Sequence, residues 1–214
     1  MRNTSAGRRV HVVDDDEILR DTVALTLEGA GYVVHPHTDG AAFLAALDPA
    51  EPACVLLDMH MPGLSGVEVQ EAFKGRGFEW PVVVLTAANE VRLAVESMKQ
   101  GAFEFLQKPI EPEALLAVLG DAFERLEAAN EDAARRAEAV AKVGSLSTRE
   151  REVLQGLLAG MASKVIAHEL DLSVRTVEIY RGKMMDKLGV RSVSAAVRLA
   201  LAAGVAPLAE QDPT

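Results

Sequence analysis

The chain has 214 residues, of which 49% are hydrophobic and 25% are charged, a balance typical of globular proteins. This composition excludes collagen-like, intrinsically disordered and disulfide-framework proteins. With 22 Lys and Arg against 32 Asp and Glu, the net charge is −10, which taken alone argues against a nucleic-acid binder because a phosphate backbone attracts positive charge.

The charge is not spread evenly along the chain. Residues 1–130 contain 10 Lys and Arg against 21 Asp and Glu, whereas residues 145–200 contain 9 against 6. The tract from Asp121 to Val143 lacks Gly and Pro and is rich in Ala, Glu and Arg, which predicts a continuous helical connector. We therefore predict a front domain, a helical linker and a back domain, at residues 9–125, 126–144 and 145–206.

Cysteine usage and hydropathy indicate the compartment. The single Cys54 cannot form an internal disulfide, which is typical of a reducing environment. No apolar stretch approaches the roughly 18 residues of a membrane span, and the polar, basic residues 1–9 do not have the pattern of a signal peptide. We therefore expect a cytoplasmic protein with no membrane partner.

The front domain alternates short apolar runs with segments of helical period, which is typical of a doubly wound α/β fold with a five-stranded parallel sheet. The runs are rich in Val and Leu and are apolar on both faces, as buried parallel strands are. The predicted strands are Val10–Val13, Tyr32–Val34, Ala53–Leu57, Val82–Leu85 and Phe103–Leu106. The predicted helices are Ile18–Gly29, Ala41–Leu47, Val67–Phe73, Val91–Gln100 and one that begins at Glu113.

Polar residues follow the predicted strands of the front domain. Asp14, Asp15 and Asp16 follow the first strand, and Asp58, Thr86 and Lys108 follow the third, fourth and fifth strands, respectively. Because the carboxyl ends of parallel strands share one edge of the sheet, these side chains should lie close together. Adjacent carboxylates favour Mg²⁺, and a carboxylate beside that ion can accept a phosphoryl group while a hydroxyl and an ammonium neutralise its charge. Without the other strand ends, the acidic triplet alone is equally typical of a solvated loop.

The same residues lie in motifs that closely resemble those of two-component receiver domains, over residues 9 to about 125. The motifs are Val12-Val-Asp14-Asp15-Asp16, Leu56-Leu-Asp58-Met-His60-Met-Pro62-Gly-Leu-Ser-Gly66, Leu85-Thr86-Ala87 and Phe105-Leu-Gln-Lys108-Pro109. The resemblance implies a flavodoxin-like fold.

The resemblance to receivers also implies a role for each site residue. It makes Asp58 the phosphoacceptor, and it assigns Mg²⁺ to Asp14, Asp15, Asp58 and the backbone carbonyl of His60. It pairs Lys108 with the phosphoryl oxygens and makes its bond to Pro109 cis. Thr86 would be the switch hydroxyl, and Phe105 would be the aromatic residue that moves with it and changes a dimerisation surface.

One alternative for the front domain is a phosphohydrolase of the haloacid dehalogenase type, because Asp14-x-Asp16 after a first strand is similar to its nucleophile motif. That family has Thr or Val two residues beyond the second Asp, where this chain has Ile18. The remaining histidines show no metal-ligand spacing; they are His11, His35, His37 and His168. We expect His35-x-His37 to be surface side chains rather than a zinc pair.

The back domain has helix signals and no strand signal. Ser147-Thr-Arg-Glu150 predicts a capping box that starts a helix, and Ser163, Ser173 and Ser192 each predict the start of another. The helix from Ser173 to Leu188 follows a tight turn, so the pair of helices from Ser163 predicts a helix-turn-helix in a four-helix, all-α domain.

Several residues in and just after this helix pair are candidates for DNA contact, although a plain four-helix domain with solvated Lys and Arg remains open on charge alone. Helical period places Val177, Met184 and Leu188 inward together with Tyr180. The candidate contacts with phosphates and bases are Lys164, Arg175, Glu178, Ile179, Arg181, Gly182, Lys183 and Arg191.

Residues 145–204 resemble the LuxR-type DNA-binding domain. The motifs are Leu146-Ser-Thr-Arg-Glu150-Arg-Glu-Val-Leu154, Ile166-Ala-His-Glu-Leu170, Ser173-Val-Arg-Thr-Val177-Glu and Met185-Asp-Lys-Leu188-Gly. Together with the receiver, they identify the chain as a member of the NarL/FixJ response regulators, nearer the FixJ branch. Base-reading positions correspond to Glu178, Ile179 and Gly182, which lack a basic side chain, and Tyr180 stands where His is common.

The combined resemblance implies a transcription regulator and not a turnover enzyme. Its partners would be a sensor histidine kinase, double-stranded promoter DNA and a second copy after phosphorylation, with RNA polymerase an open possibility. A phosphorylation-independent DNA-binding or adaptor protein is the remaining alternative, and the full set of Asp14, Asp15, Asp58, Thr86 and Lys108 argues against it.

Overall fold

The computed structural model describes residues 7–87 and 91–208, and its two compact units divide between Ala129 and Asn130, inside the predicted linker. The elements of the first unit are β1 Arg9–Val13, α1 Glu17–Gly29, β2 Val33–His37, α2 Gly40–Ala45, β3 Ala53–Asp58, α3 Gly66–Gly75, β4 Val82–Thr86, α4 Val91–Lys99 and β5 Glu104–Gln107. Helix α5, Pro112–Gly144, begins in the first unit and ends in the second. The second unit continues with α6 Thr148–Leu158, α7 Ser163–Glu169, α8 Val174–Leu188 and α9 Val193–Ala202.

The five strands form one parallel sheet in the order β2-β1-β3-β4-β5. The register pairs Asp58 with Leu85 and Thr86 with Gln107, so the last residues of β3, β4 and β5 lie on one edge. This confirms the predicted doubly wound α/β fold.

The sheet has a buried hydrophobic cluster on each face, because successive side chains of a strand point to opposite sides. On one face, Val12 and Leu56 pack with Phe123 of α5. On the other, Val55 and Leu57 pack with Phe73 of α3.

The prediction that all five strands are buried on both faces is wrong for the two edge strands. β2 and β5 contain no fully buried residue, whereas every residue of β3 and β4 is buried. An edge strand lies at the margin of the sheet with a neighbour on one side only, so its side chains are covered less completely than those of β3 and β4. β2 also begins at Val33 rather than at the predicted Tyr32, which packs in the core.

The second unit is built from α6 to α9 and the end of α5. Val143 of α5 packs in a cluster with Leu154, Met184 and Leu188. The capping box of Ser147 and Glu150 is present, and Ser173 and Ser192 cap α8 and α9. These contacts confirm the four-helix arrangement predicted for the back domain.

The predicted cap at Ser163 is wrong. Ala162 occupies the cap position of α7 without a side-chain hydrogen bond, and Ser163 is the first residue inside the helix. Its hydroxyl instead donates to the Glu178 carboxylate of α8, so its role is to connect the two helices.

Across residues 7–87 and 91–208, each helix is either too short or too polar to span a lipid bilayer.

Candidate functional site

Three carboxylates meet at the carboxyl edge of the sheet. Asp14 follows β1 and Asp58 ends β3, and both are buried, whereas Asp15 is exposed. Each offers a carboxylate oxygen, and these three oxygens lie within 4.8 Å of one another. The fold therefore brings Asp58 close to Asp14 and Asp15, which precede it by 44 and 43 residues in the sequence.

Lys108 joins the carboxylates from the end of β5. Its ammonium nitrogen lies 2.8 Å from Asp14 Oδ2 and 3.1 Å from Asp58 Oδ2. The backbone N–H of Lys108 donates to the Thr86 carbonyl, and the Lys108–Pro109 bond is cis, as the receiver resemblance implies. The Lys108 ammonium thus forms ion pairs with two buried carboxylates.

This arrangement shifts the pKa values of the charged groups. Burial, together with the neighbouring Asp14, raises the pKa of Asp58, although Lys108 opposes the change. Burial opposes the protonated form of Lys108, but its hydrogen bond to Asp14 and the charge of Asp58 outweigh that effect and raise its pKa. Lys108 therefore keeps its positive charge beside Asp58.

The donor set fits a hard divalent cation. Three carboxylates against one ammonium leave excess negative charge, and carboxylate oxygens are the ligands that Mg²⁺ prefers. Asp15 is exposed, so a hydrated ion can approach it from solvent.

Arg20 and Asp16 support Asp14, and the role of Arg20 was not predicted from the sequence. The buried Arg20 donates from Nη1 to the Asp14 carbonyl at 2.8 Å, and the Asp16 backbone N–H donates to Asp14 Oδ1 at 2.9 Å. Asp16 also caps α1. A signal for Arg20 existed, because it precedes the buried Val23 and Leu27 by three and seven residues and so shares their face of α1.

Thr86 and Phe105 lie on neighbouring strands. Thr86 is buried at the end of β4, with its hydroxyl 3.4 Å from the Ala87 carbonyl oxygen. Phe105 is in β5, and the residue is 43% exposed. The structure thus places the hydroxyl at the carboxylate edge and the aromatic ring at the surface.

Three histidines form a cluster that the sequence did not indicate. The His11 ring lies 5.3 Å from the His35 ring and 5.1 Å from the His37 ring, between centroids, and His11 Nδ1 is 2.9 Å from His37 Nε2. Burial and the neighbouring His37 and His35 lower the pKa of His11 to about 4. Within the described residues, the carboxylates are the one set of three groups close enough to share a metal, so these histidines do not form such a set.

In the second unit, α7 and α8 form the predicted helix-turn-helix. Asp171 in the turn between them has φ of 53°, a left-handed conformation that Asp adopts more readily than most residues. Val177, Met184 and Leu188 are buried, and Tyr180 packs against the core as predicted. Arg181 is half-buried, and the other seven candidate DNA contacts are exposed: Lys164, Arg175, Glu178, Ile179, Gly182, Lys183 and Arg191.

Glu178 and Arg181 are paired with each other. Arg181 Nη1 lies 3.3 Å from Glu178 Oε1, which also accepts the Ser163 hydroxyl. These contacts with Ser163 and Arg181 lower the pKa of Glu178. Its carboxylate already has partners in this structure, so it would have to exchange them to accept a hydrogen bond from a base.

Comparison with known proteins assigns a family to each unit. Residues 10–120 match the response regulator receiver domain, and residues 144–200 match the bacterial regulatory proteins of the luxR family. The chain belongs to the response regulators that join a receiver domain to a LuxR-type DNA-binding domain.

Individual relatives place it within that class. It is 42% identical to the transcriptional regulatory protein FixJ of Azorhizobium caulinodans, over 96% of this chain and 97% of that protein. It is also 42% identical to FixJ of Bradyrhizobium diazoefficiens, over 92% of this chain and 96% of that protein. The resemblance to the FixJ branch is confirmed, and the chain is a transcriptional regulator.

Solved structures show the same architecture. Full-length FixJ from B. japonicum has a TM-score of 0.59 and 41% identity, covering 93% of this chain and 98% of that one. The response regulator StyR has a TM-score of 0.79 and 36% identity, covering 91% of this chain and 98% of that one. Both matches include the two units.

Proposed function

We propose that this regulator is controlled by phosphorylation of Asp58, with a sensor histidine kinase as the phosphoryl donor. One observation carries the proposal: the Asp58 carboxylate ends β3 at the carboxyl edge of the sheet, 3.1 Å from the Lys108 ammonium and beside Asp14 and Asp15. The receiver match and the FixJ relatives support it.

The chemistry follows from the charges of the site. An Asp58 oxygen would bond to phosphorus while the bond from phosphorus to the donor histidine nitrogen breaks. Lys108 would neutralise charge on the transferred group. Asp14, Asp15, Asp58 and the His60 carbonyl would hold Mg²⁺, which supplies further charge neutralisation. The chain contributes these groups to one modification of itself, rather than to turnover.

Phosphorylation would change the surface through Thr86 and Phe105. A phosphoryl group adds negative charge and acceptor oxygens, which would attract the Thr86 hydroxyl at the adjacent strand end. The exposed Phe105 ring would then reorient into the space vacated, and the altered face would pair two copies. In this scheme the domains stay as predicted, at 9–125, 126–144 and 145–206.

The second unit would bind promoter DNA, and the protein would then act in the cytoplasm. Helix α8 would enter the major groove, where Glu178, Ile179 and Gly182 face the bases. Lys164, Arg175, Lys183 and Arg191 would contact phosphates, joined by Arg181 when it leaves Glu178. RNA polymerase is a further partner in this proposal.

The test is Mg²⁺-dependent labelling by acetyl phosphate, read by intact-protein mass spectrometry. We expect the native chain and the exposed control variant Asp121→Asn to gain one phosphoryl group, and Asp58→Asn to gain none. Light scattering should show dimers of the labelled native chain and of the labelled control, and none of Asp58→Asn. Labelling of Asp58→Asn would contradict the assignment, and equal promoter affinity with and without acetyl phosphate would favour a phosphorylation-independent regulator.

A further inference from the structure

A cavity of about 600 Å³ lies in the first unit at the amino-terminal edge of the sheet. It is lined by Val82, the first residue of β4, whereas Asp58 and Thr86 lie at the carboxyl ends of their strands. Pockets that bind small molecules have volumes of roughly 300–1,000 Å³. The cavity therefore has the size of a ligand site and is separate from the carboxylates.

One wall of the cavity is aromatic. The Phe78 and Trp80 rings are 4.9 Å apart at an angle of 72°, and Phe73 stacks on Phe78 with 5.1 Å between centroids. Phe78 and Trp80 are both half-buried, so part of each ring is accessible from the cavity that they line. Such a wall favours a flat aromatic molecule.

Two glutamines of the lining, Gln70 and Gln100, have buried side-chain oxygens without a hydrogen-bond donor among the described residues. Gln70 is 4% exposed and donates to the Ser97 carbonyl at 3.1 Å, but its own side-chain oxygen is buried and accepts no hydrogen bond. Gln100 is similar, with its amide donating to Glu71 while its buried oxygen has no partner. Buried polar atoms are normally satisfied. Because neither oxygen is accessible from the cavity as it stands, a glutamine side chain would have to rotate to accept a hydrogen bond from a ligand.

The charged side chains of the lining are two cations, Lys74 and Arg125, and one exposed carboxylate, Glu79. Neither Lys74 nor Arg125 forms an ion pair with any residue in the described part of the chain; Lys74 donates to the Gln100 carbonyl, and Arg125 lies over the Phe103 ring. A carboxylate ligand would give both cations an anionic partner.

We propose that this cavity binds a small aromatic carboxylate whose ring carries an O–H or N–H donor. The ring would pack against Phe78 and Trp80, the donor would satisfy a glutamine oxygen, and the carboxylate would meet Lys74 and Arg125. The site does not depend on the phosphoacceptor proposal, because none of these residues belongs to the Asp58 site.

The full-length protein offers a direct reporter, since Trp80 is its single tryptophan. We would follow the indole N–H peak of Trp80 in proton–nitrogen NMR spectra during titration with para-hydroxybenzoate. Benzoate lacks the donor and methyl para-hydroxybenzoate lacks the charge, so each should bind roughly tenfold more weakly.

A matched pair of variants tests the charge. Arg125→Gln should weaken binding of para-hydroxybenzoate roughly tenfold and leave the methyl ester unaffected. Arg136→Gln alters an exposed arginine further along α5 that does not line the cavity, and it should bind as the native chain does. An indole peak that stays fixed up to about 10 mM probe, or equal binding by Arg125→Gln, would overturn the proposal and leave a cavity filled by water.

Discussion

Gly66, the first residue of α3, packs against the strand end that carries Asp58. A Cβ atom added there would lie 2.5 Å from the Asp58 carbonyl oxygen and 2.7 Å from Met59 Cα. Both are backbone atoms, so they cannot move aside as the end of a flexible side chain would. Gly66→Ala should therefore push α3 away from β3 and displace Asp58.

The cost can be estimated from overpacking. Forcing a methyl group into a packed site costs about 1–3 kcal/mol of stability. Replacing Gly by Ala within a helix stabilises the helix by up to about 1 kcal/mol, which offsets part of that loss. We expect Gly66→Ala to lower the free energy of unfolding of the first unit by about 1–2 kcal/mol. Gly75→Ala, at the other end of α3, meets no atom within 4 Å and should be neutral or slightly stabilising.

Urea unfolding followed by Trp80 fluorescence measures this difference, since the single tryptophan lies in the first unit. Acetyl phosphate labelling of Gly66→Ala under native conditions should also be slower than that of Gly75→Ala. A urea midpoint of Gly66→Ala equal to or above that of the native chain would refute the steric reasoning.

Two further predictions concern the second unit. The Lys187 ammonium lies 2.6 Å from the buried Glu150 carboxylate, and together with the backbone N–H of Ser147 it lowers the pKa of Glu150. The ion pair therefore stabilises the fold at neutral pH, and this stabilisation is lost as the pH falls through the lowered pKa. Lys187→Met should lower the melting temperature by several degrees at neutral pH and less at about pH 3, measured by calorimetry; an equal loss at both would contradict this. Glu178→Ala should release Arg181 and steepen the dependence of log affinity on log salt for non-specific duplex DNA by about 1, measured by fluorescence anisotropy, and an unchanged slope would show that the ion pair has no influence.

The site at the carboxyl edge could be predicted because a parallel sheet converts sequence order into position. Once the apolar runs are recognised as strands, Asp14, Asp58 and Lys108 must lie on one edge, whatever the lengths of the connections. The described distances among these three side chains agree with that reasoning. It required no knowledge of how the helices pack.

Contacts between different elements were not predictable in the same way. Ser163 has the residue type of a cap but lies one residue after the cap position, and whether its hydroxyl meets Glu178 depends on the angle between α7 and α8. The cluster of His11 with His35 and His37 depends on the pairing of β1 with β2, because only the register puts His11 opposite His35. Sequence periodicity gives the face of each element but not which faces meet.

The distribution of charge on the second unit bears on how phosphorylation could control DNA binding. Lys164, Arg175, Lys183 and Arg191 have no acidic partner among the residues described, whereas Arg181 is paired with Glu178. Each phosphate contact contributes to affinity through counterion release, so one copy with so few free cations should bind weakly at physiological salt. Two copies held together double the number of contacts on one DNA segment and raise affinity far more than twofold. Control of pairing in the first unit would therefore be sufficient to control promoter occupancy, without any change in α8 itself.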